Sequence, residues 1–454
     1  MRQPHDRHVV VASSIAILCL TAPSALAAQL PRTRAESVGM SADRVARMRT
    51  TMQAFVDSGD VAGVVTLVAR RGQIVAIDTV GYADLESKKV MRPTTIFRIA
   101  SMTKAMTSVA VMMLVEQGRI HLNDPLGKYL PAFDSVRVAV ADSAGHATTK
   151  TNAPKRPITV HDLLTHRSGL AYGFIDAGVV GDAYRKTGIS DGIAPTSGTI
   201  GENVDKLARQ PLNFEPGAKW QYSLATDVLG RVVEVVSGMP LDRFFRERIF
   251  APLRMNDTDF YVPDEKLDRL AVPYTHDAGS LRRMSDPEKF LDGRLVMGGP
   301  QWRGSRTYFS GGAGLFSTAG DYARFLQMLL NGGELDGARL LGPKTVELMT
   351  ASATNDLGPD AVDHGVGFGL GFGILSDVGA HGVYGSVGNF SWGGIYGSDY
   401  FVDPKEQMIG VMMVQLFPDR APISETFEAM AYQAITRAGA PREAASARAA
   451  SLTP

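Results

Sequence analysis

Phe97-Arg98-Ile99-Ala100-Ser101-Met102-Thr103-Lys104, continued by Ala105-Met106 and Val109-Ala110-Val111-Met112-Met113-Leu114-Val115, is the segment from which the rest of this 454-residue chain is read. Up to Gln117 the run is almost entirely apolar, which predicts a buried central helix rather than a surface amphipathic one. It contains the chain's only Ser-x-x-Lys. Three residues make nearly one helical turn, so Ser101 and Lys104 share a face. A hydroxyl at the mouth of a buried helix, with an amine one turn further on, is the arrangement of an activated nucleophile. The helix N-terminus adds positive potential where an oxyanion would form. A tetrapeptide pattern is too short to carry a function alone, so its neighbours decide.

Composition narrows the classes. Arg2 and Arg7, the apolar run Val9 to Leu20 and Ala25-Leu26-Ala27 read as an export signal over residues 1–27, with the h-region too short to span a bilayer. The expected mature chain starts at Ala28 and is periplasmic or secreted, with no membrane span. The single cysteine, Cys19, falls inside that signal, so the mature chain has no disulfide or cysteine-ligated metal. Lys plus Arg and Asp plus Glu both number 47. With no long basic run, nucleic acid and anionic membrane are not expected partners. A small molecule is. No dense His/Asp cluster suggests a metal, and no cofactor motif is present.

Along the chain, Ser41 caps a helix running to Ser58, and Gly63–Ala69 with Gln73–Val80 form a β-hairpin about Arg70-Arg71-Gly72. Residues 134–157 read as a surface insertion, 171–210 as loop-rich, and 262–305 as lacking periodic signals. Thr159–Thr165, Tyr222–Ser237, Asp242–Phe250, Asp321–Asn331 and Pro343–Met349 read as helices. Phe390–Val402 and Gln407–Gln415 read as strands joined by Asp403-Pro404-Lys405-Glu406, and Ser424–Arg437 as a last helix. The fold class is therefore α+β. Strands from both ends pair in one antiparallel sheet flanked by the first and last helices, with an α/β part over 38–98 and 365–437. A mostly helical subdomain covers 99–364, and residues 438–454 form a flexible tail. A cleft between the two parts is the natural site.

Two further elements join the first. Tyr222-Ser223-Leu224 follows a Pro216-Gly217 turn. A phenol beside an ammonium loses its proton more easily than in water, so Tyr222 can serve as general base toward Ser101. Trp392-Gly393-Gly394-Ile395 lies on the expected penultimate strand. Two successive glycines weaken a strand but let a backbone or ligand come close. A backbone N–H there, with that of Ser101, would form an oxyanion hole.

The order Ser101-x-x-Lys104, Tyr222-Ser223, Trp392-Gly393-Gly394 resembles the serine hydrolases of class C β-lactamase fold, which include DD-peptidases and family VIII carboxylesterases. Ile158–Leu170 and Gly311-Gly312-Ala313-Gly314-Leu315-Phe316-Ser317-Thr318 resemble the family as well, and the likeness spans roughly 38–435. It implies acyl transfer. Ser101 would be acylated, Lys104 would share its proton network, and Tyr222 would act as base and then acid. The N–H groups of Ser101 and Ile395 would hold the oxyanion. Which of Lys104 and Tyr222 takes the first proton stays open.

Two departures from the β-lactamase pattern bear on substrate. Leu224 stands where those enzymes have the Asn of Tyr-x-Asn, and Trp392 where they have the Lys of Lys-Thr-Gly. Leu224, Trp392, Gly393 and Gly394 would thus give a more apolar substrate site without a cation for a carboxylate. The pattern resembles family VIII carboxylesterases and favours short-acyl neutral esters. A β-lactamase, a DD-peptidase or D-amino-acid peptidase, or a penicillin-binding module with little turnover is the alternative. Gly188-Ile189-Ser190-Asp191-Gly192 matches G-x-S-x-G, but it sits in loop sequence without the strand and helix a nucleophile elbow needs. His161 and His166 lack zincin spacing and read as structural.

Overall fold

The computed structural model describes residues 29–194, 196–298, 306–358, 362–419 and 421–438. The expected leader, Cys19 and all but the first residue of the expected tail lie outside these. Eight strands form one antiparallel sheet: β1 (Gly63–Arg70), β2 (Gln73–Asp84), β3 (Lys89–Val90), β4 (Val366–Phe368), β5 (Gly373–Leu375), β6 (Phe390–Gly393), β7 (Asp399–Asp403) and β8 (Met408–Met413). Their order is β4-β5-β6-β7-β8-β1-β2-β3, so the two ends of the chain meet where β1 pairs with β8. The mixed α+β architecture expected from the sequence is thus present.

β1 is buried at every position because both sheet faces are covered. Val64 and Val68 point to one face with Met408 and Met412 of β8. There they pack against Met48 and Met52 of helix α1 (Ala42–Asp57) and Phe427 and Ala431 of α5 (Ile423–Gln433). Val65, Leu67 and Ala69 point to the other face, toward α2 (Thr103–Glu116) and α4 (Ala319–Leu330). α1 begins where Ser41 Oγ accepts from the Arg44 N–H. α2 is enclosed from Thr103 to Leu114, which accounts for its unbroken apolar sequence. α3 (Ala225–Ser237) packs against it.

Several segments differ from the sequence reading. Phe390–Val402 is a hairpin, not one strand: Gly394 N–H donates to Ser398 O at 2.7 Å, and Gly397 has φ +81°. Trp392 therefore lies on the third strand from the end. Residues 134–157 include a hairpin (138–141 with 147–152), and 262–305 include two more, 274–277 with 280–283 and 288–290 with 295–297. The loop-rich 171–210 holds helices Val179–Lys186 and Ile200–Leu207. The second has a reciprocal Thr199–Glu202 capping box. Helix Leu241–Phe245 passes into a wider π-turn over Arg246–Phe250. α3 starts at Ala225, so Tyr222 lies in the approach to the helix rather than inside it.

Candidate active site

Ser101 sits in a short 3-10 turn, Ala100–Met102, that feeds directly into α2. The turn is pinned on all sides. Phe97 and Arg98 pair with Ser317 and Phe316, Ile99 N–H donates to Leu315 O, Leu315 N–H donates to Thr103 Oγ1, and Tyr322 OH donates to Met102 O. Ala100, the residue before the serine, has φ +41°. That left-handed conformation is uncommon for a residue with a Cβ and costs about 1–3 kcal/mol. The surrounding bonds hold the strain at the one place where the backbone must turn sharply to present Ser101.

Lys104 Nζ lies 3.1 Å from Ser101 Oγ, 2.9 Å from Tyr172 OH and 2.8 Å from Gly312 O. It also lies 4.5 Å from the centre of the Tyr222 ring. Lys104 is 1% exposed. Burial lowers its ammonium pKa to about 7, against the opposing pull of the Asp227 charge. Tyr222 behaves in the reverse way to the sequence expectation. Burial pushes its phenol above the usual range, outweighing hydrogen bonds from Ser101 and Trp392. Near neutral pH the phenol stays protonated, and the amine is the group that titrates. Trp392 Nε1–H donates to Tyr222 OH at 3.1 Å, a polar use of a side chain that the sequence suggested only as apolar wall.

β6 ends against this turn. A Cβ on Gly394 would stand 2.5 Å from Ile99 O, so only glycine lets the strand end come this close to the residues before Ser101. The N–H of Ile395 has no acceptor among the described residues. Ser101, Tyr222, Trp392, Gly393, Gly394 and Ile395 are each partly exposed, so the three motifs meet at an accessible mouth. Leu224 does not join them. It is fully buried in the core, and its N–H donates to Ala171 O. The position before α3 turns its side chain inward, so Leu224 is not a surface of the cleft.

Sequence reasoning missed Tyr172, Gly312 and Asp227. Tyr172 is 2% exposed with its ring 5.4 Å from that of Tyr222. Gly311-Gly312 is a tight turn, and its second carbonyl is a Lys104 partner. A Cβ on Gly312 would lie 3.1 Å from Tyr172 OH and 3.5 Å from Lys104 Nζ. The glycine-rich stretch was the available signal. His166 is buried, bonded through Nδ1 to Ser223 Oγ, and packs 4.9 Å from the Tyr222 ring. Ser190, in the loop before Ile200–Leu207, pairs with Thr196 and, among the described residues, not with a base.

The comparisons agree with this geometry. A family model described as Beta-lactamase matches residues 48–434. The chain belongs to the beta-lactamase family. Protein Rv1367c of Mycobacterium tuberculosis is 36% identical over 386 residues, covering 82% of this chain and 90% of that protein. Esterase EstB of Burkholderia gladioli is 35% identical over 378 residues, covering 80% and 88%. Among solved structures, EstCE1, "a hydrolase with promiscuous acyltransferase activity", superposes with a TM-score of 0.76 at 30% identity, covering 86% of this chain and 99% of that one. This beta-lactamase-family chain is a serine hydrolase related to esterases.

Proposed function

We propose that the protein is an exported carboxylesterase that cleaves short-acyl neutral esters through an acyl-enzyme on Ser101. The observation that carries this is the set of partners around Lys104 Nζ. Gly312 O can only accept, so one N–H is committed there, and Tyr172 OH takes a second. In the neutral amine the remaining direction can carry the lone pair toward Ser101 Oγ. Above pH about 7, Lys104 takes the Ser101 proton as Oγ attacks the ester carbonyl. The N–H groups of Ser101 and Ile395 hold the oxyanion. Collapse expels the alkoxide, which receives a proton through Tyr222. Water then attacks the acyl-enzyme and gives a proton to the same network, which returns it to Ser101 Oγ as the C–Oγ bond breaks and the acid leaves.

Trp392, where β-lactamases have a lysine, supports neutral substrates. The aromatic surroundings of Trp392, including Tyr222 and Phe368, support an apolar group. A p-nitrophenyl ester series, run beside nitrocefin and a D-Ala-D-Ala peptide, tests the assignment. Acetate and butyrate esters are expected to turn over fastest. Activity confined to nitrocefin or to the peptide would replace it with the amide-cleaving alternative. Export predicts a mature protein whose mass begins at Ala28.

A further inference from the structure

Behind Lys104 lies a carboxylate that the reaction scheme leaves unused. Asp227, on the first turn of α3, is 1% exposed. Its Oδ1 accepts from Ser310 Oγ at 2.8 Å and from Gly312 N–H at 3.1 Å. Its Oδ2 is buried with no hydrogen-bond partner among the described residues. Gly312 thus connects the two groups: its N–H faces Asp227 and its C=O faces Lys104. A Cβ placed on Gly312 would be 3.7 Å from Asp227 Cγ and 3.5 Å from Lys104 Nζ. The G-x-S-x-G loop closes the other side. A Cβ on Gly192 would fall 3.4 Å from Asp227 Oδ2 and 2.3 Å from Ser310 Oγ, at φ +75°. Asp191 in that loop accepts from Gly173 N–H, beside Tyr172.

We propose that Asp227 is a positioning residue for Lys104: its buried charge, clamped by Ser310 and Gly312, sets the pH at which the lysine releases its proton and fixes the Gly312 carbonyl that orients the amine. The inference rests on the acylation role proposed for Ser101 and Lys104.

An isolated buried carboxylate is costly, and burial does raise the Asp227 pKa while Ser310, Gly312 and Lys104 oppose it. The ionisable groups facing this node are Lys104 from α2, His166, whose imidazole burial and the Lys104 charge hold neutral, Tyr172 and Asp191 from the flanking loops, Tyr222 before α3 and Tyr308 beside Ser310. The phenols are held neutral by burial, and Asp191 is pushed up to about 7. Lys104 is therefore the only cation among these groups. An anion near an amine favours its protonated form. Removing that anion makes the amine give up its proton at lower pH. The two groups titrate as a pair, so the midpoint of the rate profile belongs to both.

The test is Asp227→Asn, which keeps shape and removes charge. The pH profile of kcat/KM for p-nitrophenyl acetate is measured beside fluorophosphonate labelling of Ser101 and thermal melting. The acid limb is expected to move down by about one pH unit, with kcat at the plateau falling roughly tenfold and KM little changed. A folded Asp227→Asn enzyme whose midpoint stays in place, or rises, overturns the proposal. If this variant does not fold, Ser310→Ala decides. Loss of one donor raises the Asp227 pKa and lets the carboxylate protonate, so a smaller downward shift supports the role of Asp227 and an unchanged or raised midpoint overturns it. Absence of a Ser101 adduct in the native enzyme would instead remove the acylation reading beneath it.

Discussion

Arg70 and Lys104 are 0% and 1% exposed, yet their surroundings are opposites. Arg70 uses all five guanidinium N–H donors. They go to Glu406 O and Oε2, to the carbonyls of Val38 and Gly39, and to Arg437 O. One side chain thus ties the N-terminal segment, β1, the β7–β8 turn and the residues after α5 together, and a carboxylate in contact balances its charge. Lys104 has three neutral oxygens as partners, and Asp227, the carboxylate whose charge reaches it, makes no ion pair with it among the described residues. The first arrangement holds a charge still. The second leaves a proton easy to move, because burial disfavours the ammonium while nothing in contact compensates it. Ala100 adds backbone strain on the same side of the molecule.

The contrast can be broken most severely at Lys104. Lys104→Met should lower kcat by on the order of 10³ or more, about 4 kcal/mol of barrier, while the melting temperature changes little, because relief of the buried amine offsets the donor that Gly312 O and Tyr172 OH lose. Arg70→Met should do the reverse. Urea unfolding should show a loss of about 3–5 kcal/mol, since Glu406 and several carbonyls lose their donor, with kcat of the folded fraction close to native. If the two variants exchanged these effects, the distinction between the nodes would be wrong.

Gly394→Ala sharpens the comparison within the site. The added methyl meets Ile99 O and pushes β6 away from the Ser101 turn, so kcat should drop roughly 10²-fold, as when an oxyanion donor is lost. Trp392→Phe removes the N–H given to Tyr222 OH together with part of the indole surface and should cost about tenfold in kcat with a smaller change in KM. In the native enzyme kcat/KM should rise through pH about 7. Lys104 is inactive as a base below that value and free to accept above it.

Much of this was legible in the sequence where a pattern is local. The apolar run after Lys104 announced a buried helix, Ser41 announced a cap, and Gly393-Gly394 announced a close backbone approach. Tyr172 and Asp227 carried no such mark. Each is a single polar residue in ordinary surroundings, and the fold alone brings them to Lys104 from 68 residues away in one case. Leu224 misled because sequence alignment to a motif fixes position along the chain but not which way a side chain turns. The hairpin at Phe390–Val402 was hidden because its turn is made by residues that also suit strands. The Tyr222 expectation failed on magnitude: burial outweighs the attraction of a nearby cation when that cation is itself being driven neutral.

In the proposed mechanism Ser101 is the nucleophile and Lys104 frees it. Fluorophosphonate inactivation followed over pH, with the modified residue mapped by mass spectrometry, tests it most directly. One adduct on Ser101, forming faster as pH rises through about 7, is the expected result. An adduct on Ser190 of the G-x-S-x-G loop, or a Ser101→Ala protein that is inactivated and turns over ester as the native one does, would contradict it.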